Sequence, residues 1–300
     1  MGADQECCAD RKQSRRVVNQ SDDHRSRLPL LLRSECIFLD DQALLERVAH
    51  GWLMLSPSNP TFWWGNTLFM DHPPNQRDLV EWPRYFEEQV HKRQPESRHM
   101  TFGWEGQSSG SAASFTKYGF GFFQLSALVT SHVEGARECS VEVTLRAFED
   151  GDWASLPDWL TSQREAQHNA NSYRHFAERS SRNWQRLHQL DRGNWFGAFK
   201  GQQLVSALGL YVQARPDQDG RRLARYQMVT TDSRWQRQGI ASALITLSAR
   251  EIALRHAPTD FVIQAEANGA PRRVYEALGF REAGSSFGLE RPPLALARAT

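Results

Sequence analysis

The sequence predicts an α/β chain of mixed α+β character, with a central twisted mixed sheet flanked by helices. Three observations carry that expectation. From Tyr226 to Phe280 a strand, a cation-rich turn, a helix, a second apolar strand and a short helix follow one another, an order that sets two parallel strands side by side. From Cys139 to about residue 292 the elements run strand, two helices, hairpin, strand, helix, strand, helix, strands. The pattern Phe115-Thr-Lys-Tyr-Gly119-Phe120 also recurs, with the same spacing, as Tyr275-Glu-Ala-Leu-Gly279-Phe280, which points to two copies of one unit.

Composition narrows the class. The chain has 300 residues, enough for one large domain or two of ordinary size. Apolar residues make up 40% and charged residues 24%, as in globular proteins, and a net charge of +1 gives no field for nucleic acid or an anionic membrane. No apolar run approaches the ~20 residues that span a bilayer. Leu28-Pro-Leu-Leu-Leu32 is too short for a signal-peptide core and has no small-residue cleavage site, so a cytoplasmic location is expected. Cys7, Cys8, Cys36 and Cys139 show no metal-ligand spacing, and no metal is expected. Glu6 stands where a myristoylation motif needs Ser or Thr.

Taken in order, residues 1–33 are polar, mix both charge signs and lack periodicity, and so read as a disordered leader. Residues 34–136 read as a domain of their own. Leu44, Leu45 and Val48 suggest a helix over Asp41–His50. Asn59-Pro60 marks a turn before an aromatic strand, Thr61–Met70, which His72-Pro-Pro-Asn75 ends. A helix is expected over Asp78–His91 and a strand over Met100–Trp104. The Phe115–Phe120 echo closes this half, and two short helices ending alike by chance is the competing reading.

The second unit spans 139–292, with a tail at 293–300. Val141–Phe148 alternates with period two, a half-buried strand. A helix carrying Trp153, Leu156 and Leu160 follows, then one from about Ser172 to Leu190. Trp195–Phe199 and Leu204–Tyr211 form a hairpin about Lys200-Gly201, and 214–222 is a polar loop. After the strand at Tyr226 comes a helix with Ile240, Leu244, Leu247 and Leu254 on one side. The strand from Phe261 leads to a last short helix, with Pro271 at its start and Gly279 as left-handed cap.

The turn Gln236-Arg237-Gln238-Gly239-Ile240-Ala241 sits where a helix begins. Its amides lack intrahelical acceptors, and the helix dipole adds positive potential, so a pyrophosphate suits it. Gly239 permits a left-handed backbone, Ala241 leaves room, and Arg234 and Arg237 add mobile charge. An ordinary glycine turn is the competing reading for this stretch alone. The Q-x-x-G-x-A turn, taken with Asn268, Tyr275 and Gly279-Phe280, resembles the cofactor-binding core of the GNAT superfamily of N-acetyltransferases. The resemblance covers 139–292 well and the first half by analogy. It implies a tandem form with a degenerate N-terminal copy, since that half lacks the turn and has Phe115 where Tyr275 stands.

The resemblance implies a GNAT-like fold and transfer of the acetyl group of acetyl-CoA to a primary amine by direct attack. The acceptor would be a small-molecule or protein amine. Val229, Thr230 and Thr231 would pair with the pantetheine arm, and Arg237, Gln238, Gly239, Ile240, Ala241 and Ser242 would hold the pyrophosphate. Asn268 would meet the arm or fix the strand end, and Tyr275 would act as general acid. Glu266, near the end of the strand from Phe261, is the best carboxylate for a general base. A solvated strand-end residue is its other reading, and a water chain could replace it. His168, His175, His188 and His256 are expected at the surface. A non-catalytic acyl-CoA sensor or scaffold is the competing function; it would keep the turn but not need Tyr275.

Overall fold

Strand pairing organises the chain. A computed structural model describes residues 28–135, 139–165 and 168–293. The first-half strands are β1 (Leu44–Val48), β2 (Gly51–Leu55), β3 (Thr67–Met70), β4 (Met100–Glu105) and β5 (Gly121–Thr130). The second half adds β6 (Thr144–Ala147), β7 (Gly193–Lys200), β8 (Gln203–Val212), β9 (Leu223–Thr231), β10 (Asp260–Glu266) and β11 (Arg281–Arg291). Helices α1 (Leu30–Glu35), α2 (Asp78–Phe86) and α3 (Ala112–Phe115) belong to the first half. The second half has α4 (Leu156–Ser162), α5 (Ala170–Gln189), α6 (Ile240–His256) and α7 (Ala270–Ala277). The strands form one eleven-stranded sheet in the order β1-β2-β3-β4-β11-β5-β10-β9-β8-β7-β6.

The centre of that sheet is made by exchange. β3 runs parallel to β4 and β9 parallel to β10, and the other neighbours are antiparallel. After β4 the chain passes through α3 into β5, which pairs with β10 from the other half. After β10 it passes through α7 into β11, which pairs with β4. The cores follow the exchange. Phe287 and Leu289 of β11 complete the first-half cluster around Trp82, Phe86 and Phe102, while Leu128 of β5 lies in the second-half cluster around Tyr226 and Ile263. The two halves therefore share one continuous sheet. The two glycines of the sequence echo also match, since Gly119 and Gly279 both have left-handed backbones, φ 80° and 90°, and the following phenylalanine N–H bonds the carbonyl of Phe115 or Tyr275.

Several local expectations change. Residues 28–33 are not leader: Leu28, Leu31 and Leu32 are buried, because α1 turns its leucines onto the sheet. Asp41–His50 is not a helix but the start of the β1–β2 hairpin, Leu44 pairing with Leu55. A short apolar run satisfies either period, and here cross-strand pairing decides. Thr61–Met70 yields a strand only from Thr67, after a 3-10 turn at Trp63–Gly65. On α6 the buried side carries Leu244, Ser248 and Ile252, and Leu254 is 82% exposed on the opposite side. His256 is buried, not superficial. The helices at Asp78, Leu156 and Ala170 and the β7–β8 hairpin lie where expected. No helix of the described residues is long and apolar enough to cross a membrane.

One buried histidine makes stability pH-dependent. His99 is stacked on Trp63 at 5.6 Å, and its Nε2 donates toward the carbonyls of Trp63 and Asn66 at 3.2 and 3.1 Å. Burial holds its pKa at about 4. An unfolded histidine takes a proton near pH 6.5, so this contribution is complete above that pH and is lost as pH falls from about 6.5 toward 4. The loss is expected to reach about 3 kcal/mol. Urea unfolding at pH 7 and pH 4.5, comparing wild type with His99→Gln, isolates it from the carboxylates, which titrate in both proteins. Equal pH dependence of the two would refute the assignment.

Candidate active site

The site begins where two parallel strands part. β9 and β10 pair only over Leu223–Arg225 against Asp260–Val262. Beyond that point each strand is held on its outer edge: Thr231 of β9 pairs with Ser206 of β8, and Glu266 of β10 with Leu125 of β5. The result is a wedge open toward the C-terminal ends, the general ligand position in such sheets. A bulge sharpens it. The β8–β9 register slips between Ala207 and Gly209, and Met228 opposite takes φ 53°, a left-handed backbone that a bulky residue seldom adopts.

A helix start lies at the mouth. Arg237 and Gly239 both have left-handed backbones, φ 62° and 81°, so the turn folds tightly onto α6. Gly239 is the N-cap residue and gives no side-chain cap. The amides of Gly239, Ile240, Ala241 and Ser242 have no protein acceptor among the described residues. Four uncapped donors plus the positive helix end fit an anion. Gln236 ties this turn to the strand, its Nε2 donating to the Thr231 carbonyl at 3.1 Å. The Gln238 carbonyl accepts from the Ser140 N–H, which anchors the far side. Arg237 makes no ion pair among the described residues, but Arg234 is not a mobile charge. Its guanidinium holds the Asp232 carboxylate at 2.7 Å and keeps that carboxyl below its usual range.

Tyr275 enters from α7, whose other described residues are exposed or half-exposed. Its ring is buried against Phe280, and its hydroxyl makes no hydrogen bond to the described residues. Burial pushes the phenol up to about 12, against a smaller downward pull from Arg225. The Tyr275 ring shares the second-half core with Tyr226 of β9 and Ala265 of β10, the two strands that flank the wedge. Of the strand segment, Val229 packs on the second-half core, and Ser206 Oγ bonds the Thr230 carbonyl and the Thr231 hydroxyl at 2.9 and 2.8 Å. Asn268 and Glu266 are exposed at the β10–α7 turn, and among the described residues neither makes a hydrogen bond to Tyr275. Glu266 alternates with Ala265 of the α6-side core, so it lies on the sheet face that carries α5.

On that α5 face lies a group that sequence reading missed. Arg225, buried on β9, binds Glu35 of α1 at 3.0 Å, and Gln264 of β10 donates to the same Glu35 oxygen at 3.3 Å. One carboxylate from the N-terminal helix thus bridges both strands at the apex of the wedge. Beside it opens a cavity of about 520 Å³, counting the space at its mouth, whose lining includes Glu35, Asp40, Phe62, Arg179, Trp184 and Gln227. Nothing local could have marked Glu35, which is 190 residues from its partner in sequence. Among the described residues no group of three or more His, Cys, Asp or Glu side chains could hold a metal ion.

Comparison with known proteins bears on the fold around this site. Residues 163–290 match the family model of the acetyltransferase (GNAT) domain. A functionally unknown conserved protein from Staphylococcus epidermidis shares the fold, at 13% identity and TM-score 0.62, over 84% of this chain and 95% of that one. A GCN5-related N-acetyltransferase from Kribbella flavida matches at 14% identity and TM-score 0.52, over 84% and 91%. One from Sphaerobacter thermophilus matches at 15% identity and TM-score 0.52, over 88% and 91%. At these identities the likeness concerns the fold alone. No curated protein matches the chain significantly.

Proposed function

We propose that this chain, whose residues 163–290 match the acetyltransferase (GNAT) domain, transfers the acetyl group of acetyl-CoA to a primary amine by direct attack. The observation that carries the reading is the wedge itself: uncapped amides at Gly239–Ser242 stand at its mouth and a partnerless buried phenol beside it. Arg237, Gln238, Gly239, Ile240, Ala241 and Ser242 hold the pyrophosphate. Val229, Thr230 and Thr231 pair with the pantetheine arm, and Asn268 meets the arm or fixes the strand end. The amine nitrogen attacks the thioester carbonyl carbon; the C–N bond forms and the C–S bond breaks. Tyr275 gives its proton to the departing sulfur. Glu266 takes the amine's proton, directly or through water, since it stands in solvent on the α5 face.

We place a single cofactor site in the chain and read the first half as a degenerate second copy. What supports this is the matching run β3-α2-β4-α3-β5 against β9-α6-β10-α7-β11. The start of α2 carries a negative charge of its own: the buried Asp78 carboxylate accepts the Asn75 N–H at 2.7 Å. The mouth between β3 and β4 is tied shut by the Ser111 N–H on the Pro74 carbonyl. Calorimetric titration with acetyl-CoA is expected to give one site per chain, and coenzyme release is expected to depend on added amine. Two sites would overturn the degenerate copy. Binding with no turnover across a broad amine set would favour a sensor.

A further inference from the structure

The cavity on the α5 face is lined by charged and aromatic side chains. Its charged groups are unequal. Glu35 is already held by Arg225 and Gln264. Asp40 accepts from the Ser58 hydroxyl and the Gln42 N–H, both neutral donors, so its charge is unbalanced. Arg179, half-buried on α5, has neither a hydrogen bond nor an ion pair to the described residues. A half-buried guanidinium without a partner is costly to keep and is a ready carboxylate reader, because its planar fork matches two oxygens. The aromatic lining, with Phe62 and the largely buried Trp184, offers an apolar wall between the charges.

We infer that this cavity binds an apolar aminocarboxylate, an α-amino acid with an aliphatic or aromatic side chain, whose carboxylate is read by Arg179 and whose ammonium is drawn to Asp40 and the Glu35 edge. The inference rests on the acetyl-transfer reading for its role and deepens it by naming the acceptor. Gln227, immediately before the Met228 bulge, lines the same cavity, so an acceptor held there lies beside the wedge. The charge change in the reaction also clears the site. The ammonium loses a proton before attack, and the amide formed is neutral, so Asp40 and Glu35 no longer hold the product by charge. Only the Arg179 contact survives acetylation.

The test is a binding titration of the full chain, with and without bound CoA, using matched probes: leucine and phenylalanine against isopentylamine and phenethylamine, which lack the carboxylate. The amino acids are expected to bind about tenfold to a hundredfold more tightly than their amines, the range for a charge-assisted contact. Arg179→Met should bring that ratio close to one, and Arg179→Lys should keep part of it. N-acetylleucine should bind more weakly than leucine. Amines binding as well as amino acids, no binding by either series, or an Arg179→Met ratio equal to wild type would each overturn the inference. Acetyl-CoA binding is measured in the same samples. Its failure would sink the acetyl-transfer reading, while the amino-acid ratio still decides whether the cavity reads a carboxylate.

Discussion

Gly239→Glu is expected to abolish acetyl-CoA binding, with Kd rising at least about a thousandfold in calorimetric titration. Two terms add. Gly239 sits at φ 81°, where an L residue is disfavoured by about 1–2 kcal/mol. The new carboxylate would also stand among the four uncapped amides of the α6 start, where it would repel the pyrophosphate. At 4–5 Å and an effective dielectric constant of about 20, that repulsion is about 4 kcal/mol, or three orders of magnitude in affinity. Fold loss is not the expected cause. An acidic residue at a helix N-terminus is favourable to the helix by up to about 1 kcal/mol, which offsets much of the backbone strain. Gly239→Ala carries the strain without the charge and should weaken binding far less. Undiminished affinity in Gly239→Glu would move the cofactor away from this turn.

What could be read in the sequence was local, and what could not was set by distant pairing. The anion turn from Gln236 to Ala241, the α6–β10–α7 succession and the β7–β8 hairpin are written in turn residues and short periods, so no tertiary knowledge is needed to see them. The exchange of β5 and β11 leaves no such mark. Both strands read as ordinary extended runs, and the choice of partner is made by strand edges that lie more than a hundred residues away. Met228 is similar: no glycine or asparagine signals its left-handed backbone, which the β8–β9 register forces on it. Glu35 and Arg225 meet only because α1 packs across the wedge. Arg234 was readable in principle, since Asp232 stands two residues before it. The candidate site residues were therefore named largely from the turn and the last helix, while the cavity on the α5 face had to await the fold.

Tyr275→Phe is expected to lower kcat by about a hundredfold to a thousandfold and leave acetyl-CoA affinity within about twofold, as for loss of a general acid. Stability should hardly move, because the hydroxyl has no protein partner to orphan and the ring's contact with Phe280 remains. The phenol at about 12 lies well above a thiol near 8.5, so protonating a fully formed thiolate would be uphill by roughly 5 kcal/mol. Transfer must then accompany C–S cleavage rather than follow it. That gives a sharper test than the rate alone. With a thioester donor whose leaving thiol is more acidic, sulfur needs less help, and the gap between wild type and Tyr275→Phe should shrink. The raised pKa also fixes the sign of the pH effect: the phenol stays protonated through the working range, so this residue contributes no alkaline loss of rate below about pH 10. A variant that kept full kcat with both donors would hand the proton to water and leave Tyr275 as part of the core.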